Sequence, residues 1–170
     1  MPDNRDAITL RRITPEEAAI FRHLRLQALQ MHPRAYAQSF DEECTQPPQA
    51  FAQFLRGNVV MGAYDNDLLV GYTILTPFRQ AKVAHKGTVW GAYVRPKYRD
   101  MQLAQRMRLR LFEIGRSMGM RYCQSSIMAS NEAALHVHMA VGYQEVYREK
   151  EGVRHFDGTF EDVIHLVKYL

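Results

Sequence analysis

The chain has 170 residues, of which 46% are hydrophobic and 24% are charged, a balance typical of a soluble globular protein. No apolar run reaches the length that crosses a membrane, and the N-terminal segment lacks the hydrophobic stretch of a signal peptide, so we expect a cytoplasmic location without a membrane partner. The net charge of +4, from 22 Lys and Arg against 18 Asp and Glu, suits an anionic ligand but does not by itself indicate nucleic acid. This length is enough to bury a core, and we expect residues 1–170 to form a single domain.

The two cysteines, Cys44 and Cys123, lie far apart in the sequence. Neither has a second metal-ligand residue at the short spacing of a metal site. We therefore expect two reduced thiols, with no disulfide and no bound metal.

The first helix has a clear start signature at residues 14–17. Thr14 is a capping residue, Pro15 occupies the first helical position and Glu17 the third. An apolar stripe continues this helix to about residue 30. Residues 31–48 then lack a clean period and contain several prolines, which indicates a functional loop with broken helix.

Seven strands and about four helices are predicted for the whole chain. The strands cover residues 7–13, 58–64, 68–76, 87–94, 121–128, 143–149 and 162–169, and the helices cover residues 14–30, 49–55, 102–118 and 131–140. This order predicts a mixed α/β fold around one mostly antiparallel central sheet. Strand and helix alternate in the second half, which implies parallel pairing there and a cleft where two parallel strands diverge.

The junction between strand 87–94 and helix 102–118 carries the main functional signal. An apolar strand ends at Val94, Pro96 stops strand pairing, and a periodic helix begins a few residues later. The free backbone amides and the positive dipole end of such a helix start can hold an anion such as a phosphate.

Two segments of the chain resemble motifs of the GNAT-type N-acetyltransferases. The first resembles that family's acyl-CoA-binding segment, V-x-P-x-[YF]-R followed by a glycine-rich turn, and is carried by Val94, Pro96, Tyr98, Arg99 and Ala104. The second resembles a later N-x-x-A, seven residues, then G-F, and is carried by Asn131, Ala134, Gly142 and Tyr143. With the order of strands and helices, the resemblance covers nearly the whole chain.

This resemblance implies transfer of an acetyl group from acetyl-CoA to a primary amine of a small molecule or peptide, by direct attack in a ternary complex. The splay between the fourth and fifth strands would receive the pantetheine arm, and a homodimer is common among resembling proteins. The residues expected to bind the cofactor are Tyr93, Val94, Arg99, Asp100, Met101, Gln102, Leu103, Ala104 and Asn131.

Three positions depart from the family pattern. Gln102 stands where a glycine should let the pyrophosphate approach the backbone, and Asp100 stands where glycine is common. His138 occupies the position of the family's usual Tyr, and we expect it to be the acid that protonates the departing thiolate. The general base stays open between an acid at residues 41–43, His85 and a water chain.

The resemblance also implies that the segment between the first two helices forms one wall of the acceptor site. Aromatic and acidic side chains there would contact a cationic amine; the candidates are Tyr36, Phe40, Glu42 and Trp90.

Two other classes of function remain. The departures at the loop and at residue 138 favour, as the alternative, a noncatalytic acyl-CoA sensor or partner-binding protein. A nucleic-acid binder using the Arg-rich helix 102–118 is less favoured, because its arginines surround the helix instead of forming one face.

Overall fold

A computed structural model describes residues 8–170, so Ala7, in the first predicted strand, lies outside the described part. All seven strands form one sheet in the order β1-β2-β3-β4-β5-β7-β6. They are β1 (Ile8–Arg12), β2 (Val59–Asp65), β3 (Leu68–Pro77), β4 (Lys86–Val94), β5 (Tyr122–Met128), β6 (Gln144–Arg154) and β7 (Phe160–Tyr169). The mixed α/β fold class predicted from the sequence is confirmed.

In the described part of the chain, five α-helices flank this sheet. They are α1 (Ala18–Met31), α2 (Phe40–Cys44), α3 (Pro48–Gly57), α4 (Leu103–Ser117) and α5 (Glu132–Ala140). Helix α2 is one more than the four predicted and lies in the segment interpreted as a loop with broken helix. None of the helices in residues 8–170 is long and apolar enough to cross a membrane.

The start of the first helix follows its sequence signature. The Glu17 carboxylate accepts a hydrogen bond of 2.9 Å from the Thr14 backbone amide, and Pro15 opens a single 3-10 turn that leads into α1. The capping pair therefore holds the start of the helix as predicted.

Within residues 8–170, parallel pairing is limited to one pair of strands. β4 and β5 run parallel, whereas β5 pairs antiparallel with β7 and β7 pairs antiparallel with β6. The predicted sheet, mostly antiparallel with one splayed parallel pair, is therefore confirmed, and the alternation of strand and helix produces no parallel pairing beyond β5 in the described residues. The hairpin that joins β6 to β7 turns the chain back, so that β7 is inserted between β5 and β6.

The core has one layer on each side of the sheet. On one side, α4 buries Leu103, Met107 and Leu111 against the central strands, as its apolar stripe predicted. On the other side, helices α1 and α3 bury Phe21 and Leu55. The sheet thus keeps two distinct faces, and functional side chains on β4 and β5 are assigned below to one or the other.

Candidate active site

The central feature of the site is a splay between β4 and β5. These strands pair at only three positions, Lys86 with Tyr122 through Thr88 with Gln124. Beyond Thr88, β4 continues to Val94 with β3 as its strand partner, while β5 continues to Met128 along β7. The edge of β4 that faces the splay therefore presents backbone groups to a ligand at the carboxyl ends of two parallel strands.

A β-bulge in β4 shapes this edge. Two residues of β4, Gly91 and Ala92, stand opposite the single residue Thr73 of β3. Gly91 has a φ of +68°, and a Cβ atom there would lie 2.8 Å from the Ile74 Cδ1 atom, so any other residue would be strained and would displace Ile74. The Tyr36 hydroxyl donates a 3.0 Å hydrogen bond to the Ala92 carbonyl oxygen, which fixes the bulge against the segment after α1.

The loop between β4 and α4 keeps the backbone that a glycine would give it. Residues 96–101 form a 3-10 turn, and Gln102 then adopts the left-handed region with φ 54° and ψ 25° before α4 begins. For a residue with a Cβ atom this conformation costs roughly 1 kcal/mol. Gln102 is exposed, so its side chain does not fill the interior of the loop.

The Arg99 side chain bonds to the end of β4 and to the residue that follows α1. Its Nε atom donates to the Val94 carbonyl oxygen at 3.1 Å, and its Nη2 atom lies 3.0 Å from the His32 Nε2 atom. Partial burial, and then the Arg99 charge, lower the pKa of His32. The neutral imidazole accepts the hydrogen bond from Arg99, so the Arg99 side chain is engaged outside the helix start where the sequence placed it.

The other predicted cofactor residues divide by burial. Tyr93 and Leu103 are buried, whereas Asp100 is exposed and Val94, Met101 and Ala104 are half-buried. The Tyr93 hydroxyl contacts the Met31 sulfur at 3.4 Å. The loop therefore presents mainly backbone to a ligand.

Asn131 and His138 lie in the second motif. The Asn131 Oδ1 atom accepts a 3.0 Å hydrogen bond from the Ala134 amide and caps α5. His138 is 2% exposed, and burial, together with the nearby charge of Arg108, lowers its pKa to about 3. These surroundings favour a neutral imidazole and do not suit the expected role of imidazolium acid.

An open cavity of about 360 Å³ lies beside the bulge, between helices α1 to α3 and the sheet. Of the predicted acceptor residues, Glu42 and Trp90 line it. Tyr36 instead contacts Ala92, and Phe40 is half-buried at the start of α2 and is not part of the lining. The structure thus brings two of the four candidates together.

A buried ion pair forms the floor of this cavity. The Arg25 guanidinium is 2% exposed and makes two hydrogen bonds to Glu43, at 2.6 and 2.9 Å, while its carbon Cζ lies 5.6 Å from the Trp90 ring centre. Sequence reasoning missed Arg25. The available signal was a charged residue inside an apolar stripe, one residue after Leu24 and four after Phe21.

Three polar side chains form a hydrogen-bonded chain near the splay. The Ser126 hydroxyl lies 3.0 Å from the His165 Nδ1 atom, and the His165 Nε2 atom lies 2.8 Å from a Glu149 carboxylate oxygen. Ser126 is two residues past Gln124, the last β5 residue that pairs with β4. We call these three residues the Ser126 relay.

The Ser126 relay lies on the same face of the sheet as the cavity. The neighbour of Ser126, Ser125, faces α5 and contacts His138, so Ser126 points to the opposite face. Trp90 packs against Phe54 of α3 on that opposite face. The relay escaped sequence reasoning because its members come from three different strands and share no motif.

Comparison with known proteins agrees with this geometry. The profile of the Acetyltransferase (GNAT) family matches residues 20–143, well over half of the chain, and the chain therefore belongs to the GNAT acetyltransferase family. No curated protein sequence matches the chain.

Several solved structures share the fold. A GNAT-family acetyltransferase from Streptococcus pneumoniae superposes with a TM-score of 0.86 at 19% identity, covering 96% of this chain and 99% of that one. The yncA protein of Salmonella typhimurium, solved with its cofactor acetyl-CoA, gives 0.83 at 18% identity over 96% and 94% of the two chains. A ribosomal-protein-alanine N-acetyltransferase from Brucella melitensis gives 0.81 at 21% identity over 95% and 99%. At these identities the likeness establishes the fold alone.

Proposed function

We propose that this protein transfers an acetyl group from acetyl-CoA to a primary amine by direct attack in a ternary complex. The observation that carries the proposal is the splay of β4 from β5 after Thr88, beside a bulge and a helix start. A strand edge without a partner can pair with an extended ligand, and a helix start can hold its phosphates.

Acetyl-CoA would supply the activated acetyl group, and the described residues fit its binding. The backbone of Tyr93 and Val94 would hold the pantetheine arm, with one amide polarising the thioester carbonyl. The amides of residues 100–104 would hold the pyrophosphate at the start of α4. Asn131 would contribute indirectly, because its side chain caps α5 and so fixes the start of that helix.

The cavity beside Trp90 would receive the acceptor. Its wall carries the carboxylate of Glu42, which suits a cationic amine, whereas the Glu43 carboxylate is neutralised by Arg25. The rings of Trp90 and Phe54 suit an apolar or cationic group. A small molecule and a peptide N-terminus both satisfy this chemistry.

The Ser126 relay would take the proton from the amine. When the His165 Nε2–H group donates to Glu149, the Nδ1 atom is free to accept a proton from the Ser126 hydroxyl. A hydroxyl at the splay can then receive the amine proton as it passes its own to His165. We assign His138 a positioning role, because it joins α5 to β5 through Ser125. As the C–N bond forms, the thioester C–S bond breaks, and CoA would leave as a thiolate that takes its proton from water.

The test is calorimetric titration of acetyl-CoA and CoA into the purified protein, followed by an acetylation assay over a panel of amines. The panel includes a peptide with N-terminal alanine, since one structural neighbour is named for ribosomal-protein alanine. CoA release with an acetylated product supports the proposal. Tight binding without acetylation of any amine would favour the noncatalytic sensor, which Asp100 and Gln102 motivate. The cytoplasmic location and the homodimer stay predictions.

A further inference from the structure

A buried arginine in α4 has no counter-ion among residues 8–170. Arg108 is 4% exposed, and one of its terminal nitrogens donates to the Ala104 carbonyl oxygen at 3.2 Å. Its Nε atom is buried without a hydrogen-bond partner in the described chain, and the same is true of the Tyr143 hydroxyl. The Tyr143 ring centre lies 5.8 Å from that of Phe112, one helical turn beyond Arg108 on α4, and 5.0 Å from that of His138 on α5, so both unpartnered groups face the space between these two helices.

Such an arrangement is costly for the protein alone. Burial lowers the pKa of Arg108, as expected where no carboxylate neutralises the charge. An apolar side chain of similar size would pack between α4 and α5 without this cost. A chain keeps a destabilising polar group mainly where function uses it.

The position of Arg108 relates it to the splay. Helical side chains lean toward the N-terminus, and the hydrogen bond to Ala104 places the guanidinium beside the second residue of α4. That helix start follows directly from the splayed end of β4. The Arg108 guanidinium therefore reaches back to the first turn of α4, toward an anion held by the first amides of that helix.

We propose that Arg108 and Tyr143 form an anion subsite between α4 and α5 that binds a phosphate group of acyl-CoA. The identity of the ligand rests on the proposed function, whereas the subsite rests on the two unpartnered groups. The Arg108 guanidinium would supply a positive charge near this helix start. The Arg99 guanidinium does not provide that charge, because it is engaged with Val94 and His32.

The experiment compares ligand-free stability with ligand affinity. The native protein, Arg108→Leu, Arg108→Lys and Tyr143→Phe are melted without ligand and titrated calorimetrically with CoA, dephospho-CoA and inorganic pyrophosphate. We expect Arg108→Leu to melt about 5 °C higher, because a buried unpaired charge is gone, and to bind CoA about 30-fold more weakly. Tyr143→Phe should bind about 5-fold more weakly.

Arg110→Leu is the matched control. Arg110 lies on the same helix but is exposed and paired with Glu113, so its loss should change neither the melting temperature by more than about 2 °C nor the CoA affinity. An equal loss of affinity for CoA and dephospho-CoA assigns the subsite to the pyrophosphate. A loss seen with CoA alone assigns it to the 3′-phosphate.

Native affinity for CoA in Arg108→Leu would overturn the subsite. Arg108→Lys keeps the positive charge and should bind CoA more tightly than Arg108→Leu. If the Leu variant does not fold, native affinity in Tyr143→Phe would overturn the subsite. Native protein that binds inorganic pyrophosphate through Arg108 but not CoA would support the subsite and refute the proposed function. Native protein that binds neither ligand would refute both.

Discussion

The Nε2 atom of His138 lies 2.8 Å from the Ser125 hydroxyl oxygen, and its Nδ1 atom lies 2.7 Å from the Ala134 carbonyl oxygen. The carbonyl can only accept, so Nδ1 carries the ring proton and Nε2 accepts from Ser125. Both nitrogens are thus satisfied in the neutral ring. A second proton would have to displace the hydrogen bond from Ser125 in a buried site beside Arg108.

This arrangement predicts a pH-dependent stability. The pKa of His138 is about 3 in the folded chain, against 6.5 for an ordinary histidine. Between these values the unfolded chain binds a proton that the folded chain does not, so stability is complete above pH 6.5 and falls as the pH drops toward 3. From pH 7 to pH 5 we expect the native protein to lose about 2 kcal/mol of unfolding free energy that His138→Asn does not lose.

Urea denaturation at the two pH values measures this difference. His136→Asn is the control, because His136 is two residues away on the same helix but exposed. It should keep the native pH dependence. A His138 ring that titrates near pH 6.5 by NMR would contradict the prediction.

The left-handed backbone of Gln102 leads to a second prediction. Gln102→Gly should relieve up to about 1 kcal/mol of strain and raise the melting temperature by a few degrees. Without a side chain at the helix start, CoA affinity should also rise, by about tenfold. Thermal denaturation and calorimetric titration give the two readouts.

Glu151→Gly is the matched control for this substitution. Glu151 has nearly the same φ, 52°, in an irregular part of β6 away from the splay. It should gain a similar amount of stability with no change in CoA affinity. Equal affinity changes in both variants, or none in Gln102→Gly, would refute a role of residue 102 at the ligand.

The sequence predicted most of the fold because its signals are local. The Thr14 and Glu17 cap and the periodic pattern of α4 each act within a few residues, and each helix formed where expected. The strand order was less accessible. The place of β7 between β5 and β6 depends on pairing between distant segments, which local patterns do not encode.

The site was predictable only where backbone determines it. The loop at residues 96–104 follows from a strand end, a proline and a helix start. The contacts that side chains make could not be predicted from the sequence. Arg99, for example, contacts His32, which is 67 residues away in the sequence. The Ser126 relay likewise exists only once β5, β6 and β7 lie side by side.

The Arg25 and Glu43 pair gives a third prediction. Glu43→Gln removes the carboxylate that neutralises a guanidinium that is 2% exposed, and we expect a loss of about 3 kcal/mol in unfolding free energy. Asp41→Asn is the control, since Asp41 is exposed on the same short helix and its change should cost under about 0.5 kcal/mol. Urea denaturation at pH 7 separates the two, and equal costs would show that the pair is not structurally important.

The Ser126 relay gives the last prediction, which applies to an amine that the native protein acetylates. His165→Gln removes the proton acceptor behind Ser126, so kcat should fall about 100-fold while KM for the amine changes less than about 3-fold. Glu149→Gln should have a smaller effect of about 10-fold, because it leaves the imidazole in place and weakens only its orientation.

His155→Gln is the control for the Ser126 relay. His155 also contacts a carboxylate, Glu161 at 2.7 Å, but no serine hydroxyl among the described residues bonds to its ring. If catalysis depended on histidine–carboxylate pairs in general, both His155→Gln and His165→Gln would lose activity. If the Ser126 relay moves the proton, only His165→Gln loses activity. Because the relay acts as a base, the remaining activity of His165→Gln should recover as the pH rises, when more of the amine is already neutral. A residual rate that stays flat with pH would refute the role of His165 in removing that proton.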